Sequence, residues 1–151
     1  MATIIDDATL IITVNEDVKL NGQQVGSKIV QKIENVNEAS RRVFSVPTNE
    51  TQILALSSSA GAGTYQTSAV KYIRVSNMDD TNFVRLTFLS GSSNRYDVKL
   101  PAKRTAMFTS PSISGSDGAG GSGFGSFVDF DSMKATADTA SVDIELFVAS
   151  T

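Results

Sequence analysis

Few side chains in this 151-residue sequence can do covalent chemistry. There are 16 Asp+Glu and 13 Lys+Arg, with no His and no Cys. Without imidazole there is no Ser–His–Asp nucleophile and no histidine metal site. Without thiols there is no disulfide, thiolate metal site or cysteine nucleophile. The carboxylates fall in close sets: Asp6–Asp7, Asp79–Asp80, Asp129 with Asp131, and Asp143 with Glu145. Paired carboxylates can hydrolyse a glycoside without histidine, and strand alternation puts the members of each of the last two sets on one face. Asp143 and Glu145, however, lie opposite a clean apolar face, where solvated charges are expected. Asp79-Asp-Thr-Asn82 offers oxygen ligands of the kind calcium takes. The same residue types close a turn by bonding nearby backbone, and a turn is the expected role. Gly118-Ala-Gly120-Gly-Ser-Gly123 has the spacing of a dinucleotide fingerprint, but no strand precedes it and no helix follows to hold a pyrophosphate. The expectation is a chain with no catalytic residues, no metal and no cofactor.

The net charge is −3, and the basic residues are scattered, with Arg41–Arg42 and Lys103–Arg104 the densest clusters. Nucleic-acid binders concentrate positive charge to release counterions from phosphates, so no nucleic-acid partner is expected. No run approaches the ~20 apolar residues that span a bilayer as a helix, and no membrane partner is expected. Leu10–Val14 lacks a basic flank and follows Asp6–Asp7, so it does not read as a signal peptide. The Asn49-Glu-Thr51 sequon then reads as coincidence, and folding in a cytosol is expected.

Period-two alternation dominates. Val84, Leu86 and Phe88 share one face; Tyr96, Val98 and Leu100 share another; so do Val142, Ile144, Leu146 and Val148. Turn residues separate these runs about every ten residues, the spacing of a sandwich or barrel. Asn21–Gly22 favours a tight two-residue hairpin. The strands expected are Thr3–Val14, Val18–Leu20, Gln23–Val36, Arg41–Val46, Thr51–Ser57, Ala69–Ser76, Phe83–Leu89, Tyr96–Leu100, Thr105–Thr109, Phe124–Phe130 and Ser141–Ala149. One or two helical turns are admissible at Asp131–Thr139. The fold expected is all-β: a single domain, 1–151, built as an antiparallel β-sandwich of jelly-roll-like type.

Ser110–Gly125 is rich in Ser and Gly and reads as a long flexible loop. Tyr65 lies in a Gly-rich stretch and is the tyrosine best placed for external contact, whereas Tyr96 fits an inner face.

Three segments carry a resemblance. They are Lys71-Tyr-Ile-Arg-Val-Ser-Asn77, Asp79-Asp-Thr-Asn-Phe-Val-Arg-Leu86 and Val98-Lys-Leu-Pro-Ala102, followed by the closing strand Ser141–Val148. Over residues 70–149 the chain resembles small β-sandwich virion proteins of tailed, particularly marine, bacteriophages. Lys103 stands where that pattern commonly has a glycine. The resemblance implies a structural virion protein, foremost a capsid decoration or knob protein, with a tail or fibre component as the alternative; a carbohydrate-binding β-sandwich module, for which exposed tyrosines such as Tyr65 would be the contact residues, stands as a separate rival reading. The resemblance also implies other virion proteins (major capsid or tail) as partners, a homo-oligomer, and a location in the virion after assembly in the host cytoplasm. It transfers no catalytic residues. The candidate interface residues are Leu10, Ile11 and Ile12 in the apolar N-terminal segment, Tyr65, and Gly120, Gly121 and Phe124 in the loop. Met1–Val14 could reach a neighbouring subunit, with an ordinary first strand as the simpler role.

Overall fold

A computed structural model describes residues 6–59, 61–91, 94–113 and 128–151. Those residues form strands and no helix. In chain order the first five are β1 (Ala8–Asn15), β2 (Lys19–Leu20), β3 (Gln23–Gln24), β4 (Lys28–Val36) and β5 (Glu38–Val46). Then come β6 (Thr51–Ser57), β7 (Tyr65–Gln66), β8 (Val70–Asn77), β9 (Val84–Ser90) and β10 (Asn94–Leu100). The last are β11 (Thr105–Phe108), β12 (Ser112–Ile113), β13 (Val128–Asp129), β14 (Ser132–Ala137) and β15 (Val142–Ser150).

Two sheets make the body. One runs β11-β8-β15-β5 and the other β10-β9-β14-β6, with the short β7 added in parallel to β6. Among the eight long strands from β5 onward, the first pairs with the last and the second with the last but one. That order is the double Greek key of a jelly roll. The expected fold class is thus the observed one: an antiparallel β-sandwich with jelly-roll topology.

Alternation explains the layering. Val84, Leu86 and Phe88 of β9 face inward with Met133, Ala135 and Ala137 of β14. Val142, Ile144, Leu146 and Val148 of β15 and Ile73 and Val75 of β8 meet them from the opposite sheet. Burying each large aliphatic contributes about 1.5–3 kcal/mol. Phe88 sits at the centre, edge-on to Phe108 and Phe130 with ring centroids 5.0 Å away in both cases.

Several expectations need correction. Residues 131–139 are not helical: β14 occupies them, because Met133, Ala135 and Ala137 alternate inward with period two. Asp6 and Asp7 of the expected Thr3–Val14 strand precede β1, which begins at Ala8, while residues 3–5 lie outside the described residues; β5 begins at Glu38 rather than Arg41. Gln23–Val36 is divided into β3 and β4. Tyr96 packs against Phe88 but lies at the sheet edge and remains exposed. Residues 124–127 of the expected Phe124–Phe130 strand, and 114–125 of the expected Ser110–Gly125 loop, lie outside the described residues; Val128–Asp129 pairs with Ser112–Ile113.

The asparagine that closes the Tyr-Ile-x-Val-x-Asn segment has a structural task. Asn77 is buried, and its Nδ2 donates to the Asn82 carbonyl at 2.9 Å and the Leu100 carbonyl at 3.2 Å. Its Oδ1 accepts from the Asp79 N–H at 2.9 Å. One side chain thereby ties the end of β8 to the next turn and to the end of β10. The turn itself is closed by Asp79, whose Oδ1 accepts from the N–H groups of Thr81 and Asn82. Lys103 takes a left-handed φ of 56°, the conformation a glycine adopts freely, and its Nζ pairs with Asp80 at 2.8 Å. Replacing Asn77 by Ala strands two carbonyls and one N–H, so Asn77→Ala is expected to lower stability by about 2–4 kcal/mol in urea unfolding. A loss well under 1 kcal/mol would show that these groups find other partners.

Candidate functional site

Between Ala8 and Val36 the chain forms a long two-stranded ribbon outside both sheets. β1 and β4 pair antiparallel, and β2 and β3 continue the same ladder. One unbroken register runs from Leu10 opposite Ile33 to Leu20 opposite Gln23. Between these strands Glu16 N–H donates to Ser27 O, and Val25 N–H to Val18 O, both at 2.8 Å. The tip is the expected two-residue turn, with φ of 50° at Asn21 and 82° at Gly22, the signature of a type I′ hairpin. At the base, Asn35 takes φ 59° beside a register shift between Ala8 and Leu10, a bulge that turns the chain into β5. Gly26 is required by close approach: a Cβ there would lie 1.8 Å from the Glu16 carbonyl oxygen.

Constant register lets the two faces be read directly. One face carries Leu10, Ile12, Val14, Glu16, Val18 and Leu20 on the outgoing strand. Opposite them on the same face stand Gln23, Val25, Ser27, Ile29, Gln31 and Ile33. Eight of these twelve are aliphatic, and the lone charge, Glu16, accepts a hydrogen bond from Ser27 Oγ. The other face is polar: Thr13, Asn15, Asp17, Lys19, Lys28 and Lys32 belong to it, with Ile11 and Val30 as its apolar members.

The proximal half of the apolar stripe has a seat. Leu10, Ile12, Ile33 and Val36 pack on Tyr72, Phe147 and Ala149, which point outward from β8 and β15. Tyr72 and Phe147 meet edge to face with centroids 6.0 Å apart, and the Arg74 guanidinium lies 5.8 Å from the Phe147 ring. Burial pushes the Tyr72 hydroxyl above its usual pKa. The distal half has no such seat: Val18, Leu20, Val25 and Ile29 are all exposed.

Beside the aromatic pair lies an ion cluster. Glu145 is 7% exposed, not solvated as its alternation with the apolar residues implied. Its Oε2 accepts from Arg41 Nε at 2.6 Å, and its Oε1 accepts from Arg74. The miss has a physical cause. Outward-facing residues on a central strand are open only if nothing lies over them, and here long arginine side chains from both neighbouring strands do. The Arg41 hydrogen bond, followed by that of Arg74, holds the Glu145 carboxyl below the ordinary carboxylate range.

The remaining carboxylates of the last two sets have separate surroundings. Asp129 accepts from Ser112 Oγ, Asp131 accepts from the Gly91 N–H at 2.8 Å, and Asp143 is exposed. Among the described residues no three His, Cys, Asp or Glu converge as a metal site would require.

Of the expected interface residues, Leu10 and Ile12 lie on the apolar stripe, whereas Ile11 is exposed on the opposite face. Tyr65 is set apart from them. It is partly buried at the β5–β6 side of the sandwich, hydrogen-bonded to Ser40, in a cleft of about 130 Å³ that Arg42 and Gln52 also line. That volume is below the range of small-molecule sites. Gly120, Gly121 and Phe124 lie outside the described residues. The distal stripe, Val18, Leu20, Val25 and Ile29, escaped the sequence reading although its signal was present: alternating aliphatics on both sides of Asn21–Gly22.

No family model matches the chain, and no curated protein matches it. A solved structure of Bacillus endospore appendages, which form a novel family of disulfide-linked pili, aligns with a TM-score of 0.44 at 12% identity. The alignment covers 76% of this chain and 85% of that one. The present chain has no Cys with which to form such links.

Two outcomes test this surface. The folded-state pKa of Glu145 lies below its unfolded value of about 4.3. Its pairing therefore adds stability that is fully present above that pH and is lost as pH falls through the folded value. Glu145→Gln is expected to flatten the fall in stability below about pH 5; equal slopes for both proteins would show that Glu145 is not coupled to folding. Gly26→Ala is expected to remove amide-exchange protection from the distal ribbon while leaving that of β8, β9 and β15 intact. Unchanged protection of the Glu16 and Val25 amides would mean that the ribbon accommodates the methyl group.

Proposed function

We propose that this chain is a non-catalytic structural protein of a tailed-phage virion, most plainly a decoration or knob protein that docks on the particle. One observation carries the assembly part of this reading: an amphipathic ribbon whose apolar stripe runs past the body it is attached to. Isolated two-stranded hairpins are marginal in water, and exposed apolar patches mark protein contact surfaces. A ribbon maintained with an uncovered apolar end is what an assembling subunit needs and what a free-standing enzyme would avoid. The sequence resemblance over residues 70–149 supports the phage setting. The jelly roll supports a scaffold role, since its sheets present broad outer surfaces, only part of which the ribbon base covers. Particles present repeated sites, and repetition turns weak contacts into firm attachment.

The test is co-sedimentation with purified tailed-phage particles. Saturable binding of the intact chain is expected. A chain shortened by replacing residues 16–27 with Asn-Gly, which keeps Asn15 opposite Lys28, is expected to bind at least about tenfold more weakly. A folded intact chain that stays in the supernatant with every particle tried would sink the virion reading.

A further inference from the structure

The ribbon stripe packs on the outward face of the four-stranded sheet at β8 and β15, and that sheet face extends onto β5 and β11, beyond what the chain's own ribbon covers. We propose that the distal stripe seats on the outer face of the four-stranded sheet of a second copy, and that the exchange is reciprocal about a two-fold axis. This deepens the reading of the ribbon as an assembly element and rests on it.

Three observations favour a second copy over a foreign protein. The first is chemical likeness. Leu10, Ile12 and Ile33 already pack on this sheet face, and the distal residues Val18, Leu20, Val25 and Ile29 continue the same stripe in the same register. The second is that the sheet face has its own uncovered apolar positions. Val43 on β5 is 57% exposed and Met107 on β11 is 46% exposed, both on the outward side, opposite Glu145 and Arg74 in the ladder. The lone stripe charge, Glu16, has a match there as well, since the Arg41 side chain is 68% exposed while it holds Glu145.

The third is area. Val18, Leu20, Val25 and Ile29 are 50%, 62%, 57% and 58% exposed. Together they present on the order of 400 Å², comparable to the largest apolar patch of an ordinary monomer. Seating one stripe on one surface would bury roughly 800 Å² counting both partners, the range of incidental contacts. Reciprocal exchange doubles this to roughly 1,600 Å², the size of a standard specific interface. The ribbon has the reach: ten residue steps from Leu10 to Leu20 span about 33 Å. An isologous pair also closes, so the apolar stripe is used up rather than left to propagate.

Light scattering with size exclusion on the intact chain, without particles, tests the exchange. A dimer is expected at micromolar concentration, with a thermal midpoint that rises with protein concentration. Leu20→Lys and Val25→Lys on the ribbon, and separately Val43→Lys and Met107→Lys on the sheet, are each expected to weaken the dimer about tenfold or more. All four positions are exposed, so the variants keep the sandwich; circular dichroism verifies this. A monomeric intact chain overturns the exchange, whether or not it binds particles. If that monomer binds particles and the shortened ribbon does not, the stripe's partner is a particle protein and the virion reading stands alone. A dimer unaffected by the sheet variants also overturns the exchange, because the stripe would then be seated elsewhere.

Discussion

From Ile144 onward strand β15 is covered on both faces, and the arrangement of the other elements follows from that constraint. Its inward side chains, Val142, Ile144, Leu146 and Val148, require a second sheet above them. Its outward side chains, Glu145, Phe147 and Ala149, require something on the other side too. Phe147 and Ala149 receive the base of the ribbon, and Glu145 receives two arginines. A central strand of this kind makes the molecule three layers deep on one side and two on the other. The five-stranded sheet has no such requirement. Its outer face carries Arg95 and Lys134 paired with Glu50, and Asp97 bonded to Thr87, so water is an adequate cover. The Lys134 hydrogen bond, helped by the charge of Arg95, lowers the Glu50 pKa, as expected for an exposed cross-strand pair.

The ribbon is the element least able to hold itself together. Its ladder supplies backbone hydrogen bonds, but each contributes only about 1 kcal/mol net, against a similar backbone entropy cost per ordered residue. Apolar cover must make the difference. At the base that cover is present, because Leu10, Ile12, Ile33 and Val36 share a cluster with Tyr72, Phe147 and Ala149. Toward the tip it is absent. The tight Asn21–Gly22 turn, the close approach at Gly26 and the Glu16–Ser27 contacts hold the hairpin in register without burying its stripe. The order found there is local and directional: it fixes which face points toward the body without supplying the energy to stay.

Much of this was legible in the sequence, because one face of each core strand is buried and period two records it. The inward sets on β9 and β15 and the hairpin at Asn21–Gly22 read correctly for that reason. What the sequence hid depends on partners. Alternation shows which residues share a face, not which strands pair, so Gln23–Val36 reads as one more strand instead of half of a ribbon. It cannot show that arginines on β5 and β8 close over Glu145, a long-range contact between residues 71 and 104 positions away. Residues 131–139 misled because Met133, Lys134 and Ala137 satisfy a helical spacing in a short window, while the longer set Met133, Ala135 and Ala137 satisfies the strand period. Of the expected interface residues, Leu10 and Ile12 share one face of the ribbon and Ile11 takes the other, a split the sequence hides because a consecutive aliphatic run fits both faces of a strand equally well. Lys103 shows the converse: a left-handed turn that a glycine would serve is held by a lysine anchored to Asp80.

The long edge of β5 bears on how such a molecule avoids indiscriminate association. An open nine-residue edge strand is a template for any extended chain. Here the edge carries Arg41 and Arg42 side by side, and Ser40 is tied to Tyr65 across the gap between the sheets. Charges on an edge oppose backbone pairing with a like edge, because two copies would bring four guanidinium groups together in a low-dielectric contact. Arg41 also reaches Glu145 on the outer face, so the residue that guards the edge organises the surface beside it. Edge pairing is thereby discouraged while face contact through aliphatic side chains stays open. That division specifies association by surface shape and apolar fit, which are selective for partner and orientation. Backbone hydrogen bonding along an edge would be selective for neither.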